Sequence, residues 1–232
     1  MEENKFFKTV WRFNSVLFAL VGLVGILIML FADYQIVKDT FRDRNVRNIV
    51  NIAEDQDVKE KWSLGNMNAI AGTDIVTISL NSDQSYSQSY YSKSGYSVRN
   101  YLFIDTKTNE KHWLLQTNKY LLPKFNIISE KSYSDPDYKA EAILFGVIKH
   151  DTDKDERLTT KDKIAIALSL PSGKKYEEVL NDIDFFVGHT MVDSETIMLL
   201  YQIDNVGYSA YVSLIDFSLS NKSKLPNIES DS

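Results

Sequence analysis

The sequence predicts a mainly β protein in which one N-terminal transmembrane helix precedes an antiparallel β domain, and two observations predict it. Residues 13–32 form an uncharged apolar run, and from Trp62 onward short apolar runs alternate with clusters of turn residues. Twenty apolar residues match the ~30 Å of hydrocarbon that a helix must cross, and short runs parted about every eight to twelve residues by turn signals are the all-β pattern.

The span runs from Phe13 to Ala32 and ends Met29-Leu30-Phe31-Ala32-Asp33. Large residues before the single small one do not make a cleavage site, so an uncleaved signal anchor is expected. Lys5, Lys8 and Arg12 precede the span and Lys38, Arg42, Arg44 and Arg47 follow it, so the flanking charges nearly cancel. The short basic N-terminus and the long C-terminal portion decide the orientation, because long domains translocate largely regardless of local charge. Residues 1–12 are therefore expected in the cytoplasm and the rest beyond Asp33 outside it, in the inner membrane of a bacterium. Gly22 and Gly25 add a small-residue spacing that lets two spans pack closely.

After the span, residues 33–61 read as a juxtamembrane helix and linker. No Gly or Pro interrupts Gly25 to Gly65, and Ile36, Val37, Phe41, Val46, Ile49 and Val50 recur at near-helical intervals, so the helix is expected to reach about Val50. Ala53 to Lys61 is polar and reads as a solvated linker. Residues 62–220 form the β-rich extracytoplasmic domain. Strands are expected near Asp74–Leu80, Asn100–Asp105, Lys111–Leu115, Lys119–Ser129, Ala142–Lys149, Ile164–Leu170, Lys175–Leu180, Phe185–Val192, Thr196–Ile203 and Tyr208–Asp216. The intervening Thr106–Glu110, Pro171–Gly173, Val192–Ser194 and Asp204–Gly207 carry the residues that tight turns require. The tail, 221–232, is polar and expected to be disordered.

Two stretches, Asn100–Leu115 and Lys163–Leu180, share the order strand, tight turn, strand, polar step. With the three strands that follow, from Phe185 to Asp216, this order resembles a blade of the β-propellers related to the TolB family. The resemblance implies a partial or small β-propeller; a β-sandwich built from the same hairpins is the alternative. Fold-level likeness of this kind transfers no activity.

Composition removes several function classes. The apolar and charged fractions, 44% and 25%, are those of a folded globular chain. A formal charge of −6 with dispersed basic residues argues against nucleic acid as a partner. The absence of cysteine excludes disulfides, thiol catalysis and thiolate metal sites.

One segment carries chemistry. Asp151-Thr-Asp-Lys-Asp-Glu-Arg-Leu-Thr-Thr-Lys-Asp162 resembles the EF-hand calcium loop, whose positions 1, 3, 5, 7, 9 and 12 surround a hard cation with oxygen. The resemblance implies ligation by Asp151, Asp153 and Asp155, by the Arg157 carbonyl, by Thr159 directly or through water, and by Asp162. Leu158 matches the apolar eighth position. Glu156 departs from the usual glycine at position six, and Asp162 is shorter than the usual glutamate, so weak Ca²⁺ binding is implied. A solvated acidic turn is the plain alternative.

His112, His150 and His189 are too scattered to announce a metal site or triad and read as structural residues. No G-x-S-x-G, P-loop or H-E-x-x-H is present. A Ser- and Tyr-rich segment, Asn81 to Ser97, with Tyr86, Tyr90, Tyr91 and Tyr96, reads as a recognition surface or as a long hairpin. The leading expectation is a non-enzymatic, membrane-tethered binding or accessory module with a structural Ca²⁺, a protein partner or self-association. The runner-up is an anchored extracytoplasmic hydrolase acting on glycans or peptides.

Overall fold

Unbroken apolar runs go to the middle of a protein, and alternating ones to its outer layers. Both kinds occur here. The structure, a computed structural model, describes residues 5–40, 45–52, 59–88 and 91–226. The chain divides into a unit that contains the N-terminal helix and a second unit, Asn45–Ser87 with Lys93–Ser232, that is described separately below.

Helix α1 spans Lys5–Thr40. Within it Val10–Ala32 has a mean hydropathy of 2.8 and is long and apolar enough to cross a membrane. The side chains of that stretch are exposed, so none of the described residues covers them. That pattern suits lipid and does not suit a soluble core helix.

The strands, in chain order, are β1 (Asn45–Arg47), β2 (Val50–Asn51), β3 (Lys59–Ala69), β4 (Ile75–Gln88), β5 (Tyr91–Asp105), β6 (Lys111–Trp113), β7 (Leu121–Ile128), β8 (Ala142–Ile148), β9 (Arg157–Leu158), β10 (Ile164–Ser169), β11 (Glu177–Ile183), β12 (Phe185–Asp193), β13 (Thr196–Ile203), β14 (Val206–Ser213) and β15 (Leu219–Lys224). They form three successive antiparallel meanders. The first is β3-β4-β5 with β6 added to β5; the second is β7-β8-β10-β11; the third is β12-β13-β14-β15. The short β1 runs parallel to β5, and β2 pairs only with β9.

The second sheet lies between the other two. Every residue of β8 and β10 is buried, and the two rows of side chains go opposite ways. Ala142, Leu144, Ile148, Ile166 and Leu168 join Ile197, Leu199, Tyr201, Ala210 and Val212 of the third sheet in one core. Ile143, Phe145, Val147 and Ala167 join Tyr101 and Phe103 of the first sheet in another. The third sheet is covered on one face, and β13 alternates accordingly between buried and half-exposed residues. The observed architecture is thus a helix followed by face-to-face antiparallel sheets that do not close into a barrel.

The turns are built as their residues suggest. Asp204 and Asn205, with φ of 49° and 61°, make the tight β13–β14 hairpin, the double left-handed geometry that Asp and Asn tolerate. Gly173 has φ of 79°, and a Cβ there would come within 2.5 Å of the buried Phe103 ring. The two stretches alike in sequence are both hairpins, with Leu102 opposite Trp113 and Ile166 opposite Leu180.

Three expectations are corrected. The helix does not continue to Val50: β1 and β2 lie there, and Asn48 takes a left-handed φ of 58° that interrupts any helix. Val50 is 1% exposed in the core between the second and third sheets, so burial in its own domain overrides the local helical spacing. Strand β3 begins at Lys59, within the expected linker; residues 53–58 of that linker lie outside the described residues. The tail is ordered as far as β15, an exposed edge strand whose Ser and Lys content hid its ladder with β14, while 227–232 lie outside the described residues. The Asn81 to Ser97 segment falls in β4 and β5, with Ser89 and Tyr90 and the side chains of Tyr86, Tyr91 and Tyr96 outside the described residues.

Candidate metal centre

The acidic loop joins two adjacent antiparallel strands, β8 and β10, which stay in register from Val147 opposite Ala165 to Ile143 opposite Ser169. Its flanks are strands, where the EF-hand loop has helices. Two rigid strands set the positions of its ends, and the loop must then fold back on itself within them.

Its N-terminal half turns around one carboxylate. Asp151 Oδ1 accepts hydrogen bonds from the backbone N–H of Lys154 at 2.7 Å and of Asp155 at 3.2 Å, and Oδ2 accepts that of Glu156 at 2.8 Å. This winding needs left-handed backbone at Lys154 and Glu156, both with φ of 62°. Position six is therefore in the conformation for which glycine is usual, taken here by a glutamate at a cost of about 1 kcal/mol. The winding brings Asp151, Asp153 and Asp155 together, with one carboxylate oxygen from each within 4.8 Å of the others. Oxygens on opposite sides of one Ca²⁺ lie about 4.6–5.2 Å apart, twice the usual Ca–O distance. A hard, all-oxygen donor set within that reach fits a divalent cation such as Ca²⁺ chemically. Desolvation, and then the carboxylates of Asp155 and Asp162, push the Asp153 carboxyl above its ordinary value.

The C-terminal half is organised by Asp162, which is 1% exposed. Its Oδ1 accepts from the Thr152 N–H at 2.6 Å, the Thr152 hydroxyl at 3.1 Å and the Asp153 N–H at 3.4 Å, while Oδ2 accepts from the Thr159 N–H at 2.8 Å. Asp162 stands outside the group formed by the first three aspartates. Its carboxylate braces the loop across its neck. Thr159 is buried, and its Oγ1 accepts from the Lys161 N–H at 3.1 Å. Arg157 lies in β9, opposite Asn51 of β2.

Sequence reasoning did not anticipate two participants. Thr152 gives its hydroxyl proton to Asp162 and accepts from the Lys163 N–H at 3.0 Å. The whole of β2 was also missed: Val50 lies opposite Leu158, and the Ile52 N–H donates to the Glu156 carbonyl at 3.0 Å. Gln84 Oε1 accepts the Asn51 N–H at 2.7 Å, and Gln84 Nε2 donates to Glu60 Oε1 at 3.2 Å, so β2 is tied to the first sheet as well. A two-residue strand leaves no periodicity to detect.

The histidines are placed apart. The His112 ring stacks on Phe103 with centroids 5.6 Å apart. His189 lines a surface cleft of about 430 Å³ with Tyr133 and Tyr138, and burial lowers its pKa. Among the described residues, the metal-capable group of acids and histidines is the Asp151, Asp153 and Asp155 set.

No protein-family model matches the sequence, and no curated protein matches it. Among solved structures the chain is similar to a luciferin-regenerating enzyme, at 10% identity and a TM-score of 0.34, covering 76% of this chain and 64% of that one. At that score the likeness carries no argument about fold or function, and the chain spans under two thirds of its length.

Proposed function

We propose that this protein is a membrane-anchored, non-enzymatic binding or accessory module. In this reading α1 holds it in the bacterial inner membrane, its β domain is extracytoplasmic, and Ca²⁺ in the 151–162 loop pins that domain. The observation that carries the metal reading is the convergence of Asp151, Asp153 and Asp155, with one carboxylate oxygen of each within 4.8 Å of the others, on a backbone with left-handed turns at Lys154 and Glu156. Three like charges gathered there repel one another, and a divalent cation removes the repulsion. The role that suits the surroundings is structural. The loop is flanked by strands without mobile helices, and its β9 edge holds β2, the segment that enters the domain. A binding role is supported by the exposed apolar surface of the outer layers, including Leu64 and Met67 of β3 and Phe185 and Val187 of β12.

The test is direct binding. Full-length protein in nanodiscs should take up ⁴⁵Ca²⁺ saturably at a single site, weakly, in the range of about 10⁻⁴–10⁻³ M that extracellular modules show. The Asp151→Asn, Asp153→Asn double variant should lose that uptake. Equal uptake by both proteins at constant ionic strength sinks the metal assignment. Purification from native membranes in mild detergent tests the module reading, which a co-purifying stoichiometric complex supports and a hydrolytic activity against glycans or peptides overturns.

A further inference from the structure

A separate feature of the second and third sheets carries an inference that does not depend on the metal reading. At one end of these sheets lies a half-open pocket of about 230 Å³ lined by Asn48, Pro123, Lys124, Ile148, Thr160, Ile164, Asp184, Phe185 and Phe186. Its walls are mostly apolar: Ile148, Ile164 and Phe186 are buried core residues, and Phe185, 58% exposed, stands at the rim, while Asn48, Thr160, Lys124 and Asp184 supply the polar groups. Its polar group of interest is Lys124.

The chain goes to some trouble to place that lysine. The β7–β8 register slips between Leu121, opposite Ile148, and Lys124, opposite Gly146, with Pro123 in the irregular stretch. Proline fits such a break because it has no N–H to give to a ladder. On the facing strand, Gly146 leaves the space: a Cβ there would lie 3.1 Å from Lys124 Cβ and 2.7 Å from Ile164 Cδ1. The result sets the ammonium 5.6 Å from the centroid of the buried Phe186 ring. Lys124 has no acidic partner among the described residues. The nearby carboxylate of Asp184 is already engaged, by Lys163 at 3.1 Å and by the Asp204 N–H at 2.5 Å.

Small-ligand sites are concave and mostly apolar, with a few polar groups that fix orientation. We infer that this pocket binds a small monoanionic carboxylate with an apolar body of about six to eight carbons, the size that a site just under the usual ~300 Å³ admits. The carboxylate meets Lys124, and the apolar body lies against Ile148, Ile164 and Phe185. Among the lining residues Lys124 is the cation without an acidic partner, so it balances one negative charge, and Asp184 beside it disfavours a dianion.

The probe is hexanoate, added to full-length protein in nanodiscs carrying ¹³C-methyl isoleucine. The δ-methyl signals of Ile148 and Ile164 should shift saturably while that of Ile197, in the core away from the pocket, stays still. Loss of a charge-assisted contact corresponds to roughly a tenfold or greater weakening, so hexanol, hexylamine and the Lys124→Gln variant should each show that loss, and Lys124→Arg should largely retain binding. The Ile197 signal in each variant reports that the core is intact. Shifts of equal size with hexanol or hexylamine, or an unchanged dissociation constant in Lys124→Gln, overturn the inference, because the pocket would then be only an apolar crevice. Because the readout contains no Ca²⁺ term, a failed metal assignment leaves this result standing, and the reverse also holds.

Discussion

Replacing Asp162 by alanine separates the brace of the acidic loop from the half that carries Asp151, Asp153 and Asp155. The Asp162 carboxylate is 1% exposed and accepts from three backbone N–H groups and one hydroxyl. Thr159, whose N–H is one of these donors, is itself buried, so water cannot readily substitute. Each buried donor left unsatisfied costs about 1–3 kcal/mol. Counting the two short backbone bonds fully and the longer contacts slightly gives ~3–5 kcal/mol for Asp162→Ala. A domain of this size loses roughly 2–4 °C of melting temperature per kcal/mol, so a fall of about 6–20 °C is expected in chelator. Asp162→Asn keeps one carbonyl acceptor and should lose about half as much. Asp151→Asn loses one of two acceptor oxygens, but its backbone bonds are exposed so that water can replace the lost one, and it removes one of three crowded charges, so in chelator it should change stability little. Differential scanning fluorimetry of full-length protein in detergent, with EDTA throughout, reads all three. If Asp162→Ala melts within a degree or two of Asp151→Asn, the four hydrogen bonds are not the brace of the loop and the division of labour proposed for its two halves is wrong.

Other expectations follow from the same geometry. Gly173→Ala combines a left-handed backbone, about 1 kcal/mol, with overpacking against the Phe103 ring, about 1–3 kcal/mol, and should lower stability by ~2–4 kcal/mol in chemical denaturation; a neutral result would mean that the turn relaxes freely. Leu144→Ala opens a cavity between the second and third sheets and should cost about 2–5 kcal/mol, whereas Leu64→Ala on exposed β3 should fall within about 0.5 kcal/mol of wild type. Calcium affinity should drop as pH falls, because protons compete for the carboxylates. The Asp153 carboxyl lies above its ordinary value, so the drop should begin above the normal aspartate range, and titration of ⁴⁵Ca²⁺ binding against pH should show that early phase vanish in Asp153→Asn. A cysteine at exposed Ser220 should react with an impermeant maleimide in intact cells and one at Glu3 should not; the reverse pattern would invert the topology.

The strands that were legible in the sequence are those with buried neighbours on one face or both. β13 falls where its alternation puts it, and β8 and β10 fall within a residue of their apolar runs, because burial leaves a pattern of period two or a continuous run. Edge strands leave neither. β3 and β15 are polar and exposed, so nothing in Lys59–Lys61 or Leu219–Lys224 distinguishes a ladder partner from a linker or a tail. The spacing of Ile36, Val37, Phe41, Val46, Ile49 and Val50 suggested a helix as far as Val50, and its last three members cannot discriminate a helical period from two short strands around a left-handed Asn48. Of the acidic loop, the grouping of Asp151, Asp153 and Asp155 was readable from their alternate spacing. The role of Asp162 as a brace was not, since it depends on Thr152 and Thr159 folding around it.

The placement of β2 gives the acidic loop a significance beyond its own residues. Val50 reaches the core between the second and third sheets, Asn51 reaches Gln84 of the first, and both pair with β9 at the end of the loop. A two-residue ladder is weak by itself, since most of the stability of so short an element comes from the packing behind it. Whatever holds β9 in place therefore also holds the point at which the chain enters the domain. That task falls to the hydrogen bonds that Asp162 and Asp151 accept, while the crowding of the Asp151, Asp153 and Asp155 carboxylates opposes it through mutual repulsion. A bound Ca²⁺ would turn the opposing half into a supporting one, so the protein needs no tight site for the ion to matter. At ten times its dissociation constant the ion contributes about RT ln 11, or ~1.4 kcal/mol, an amount comparable to the net worth of the β2–β9 contacts that it would secure.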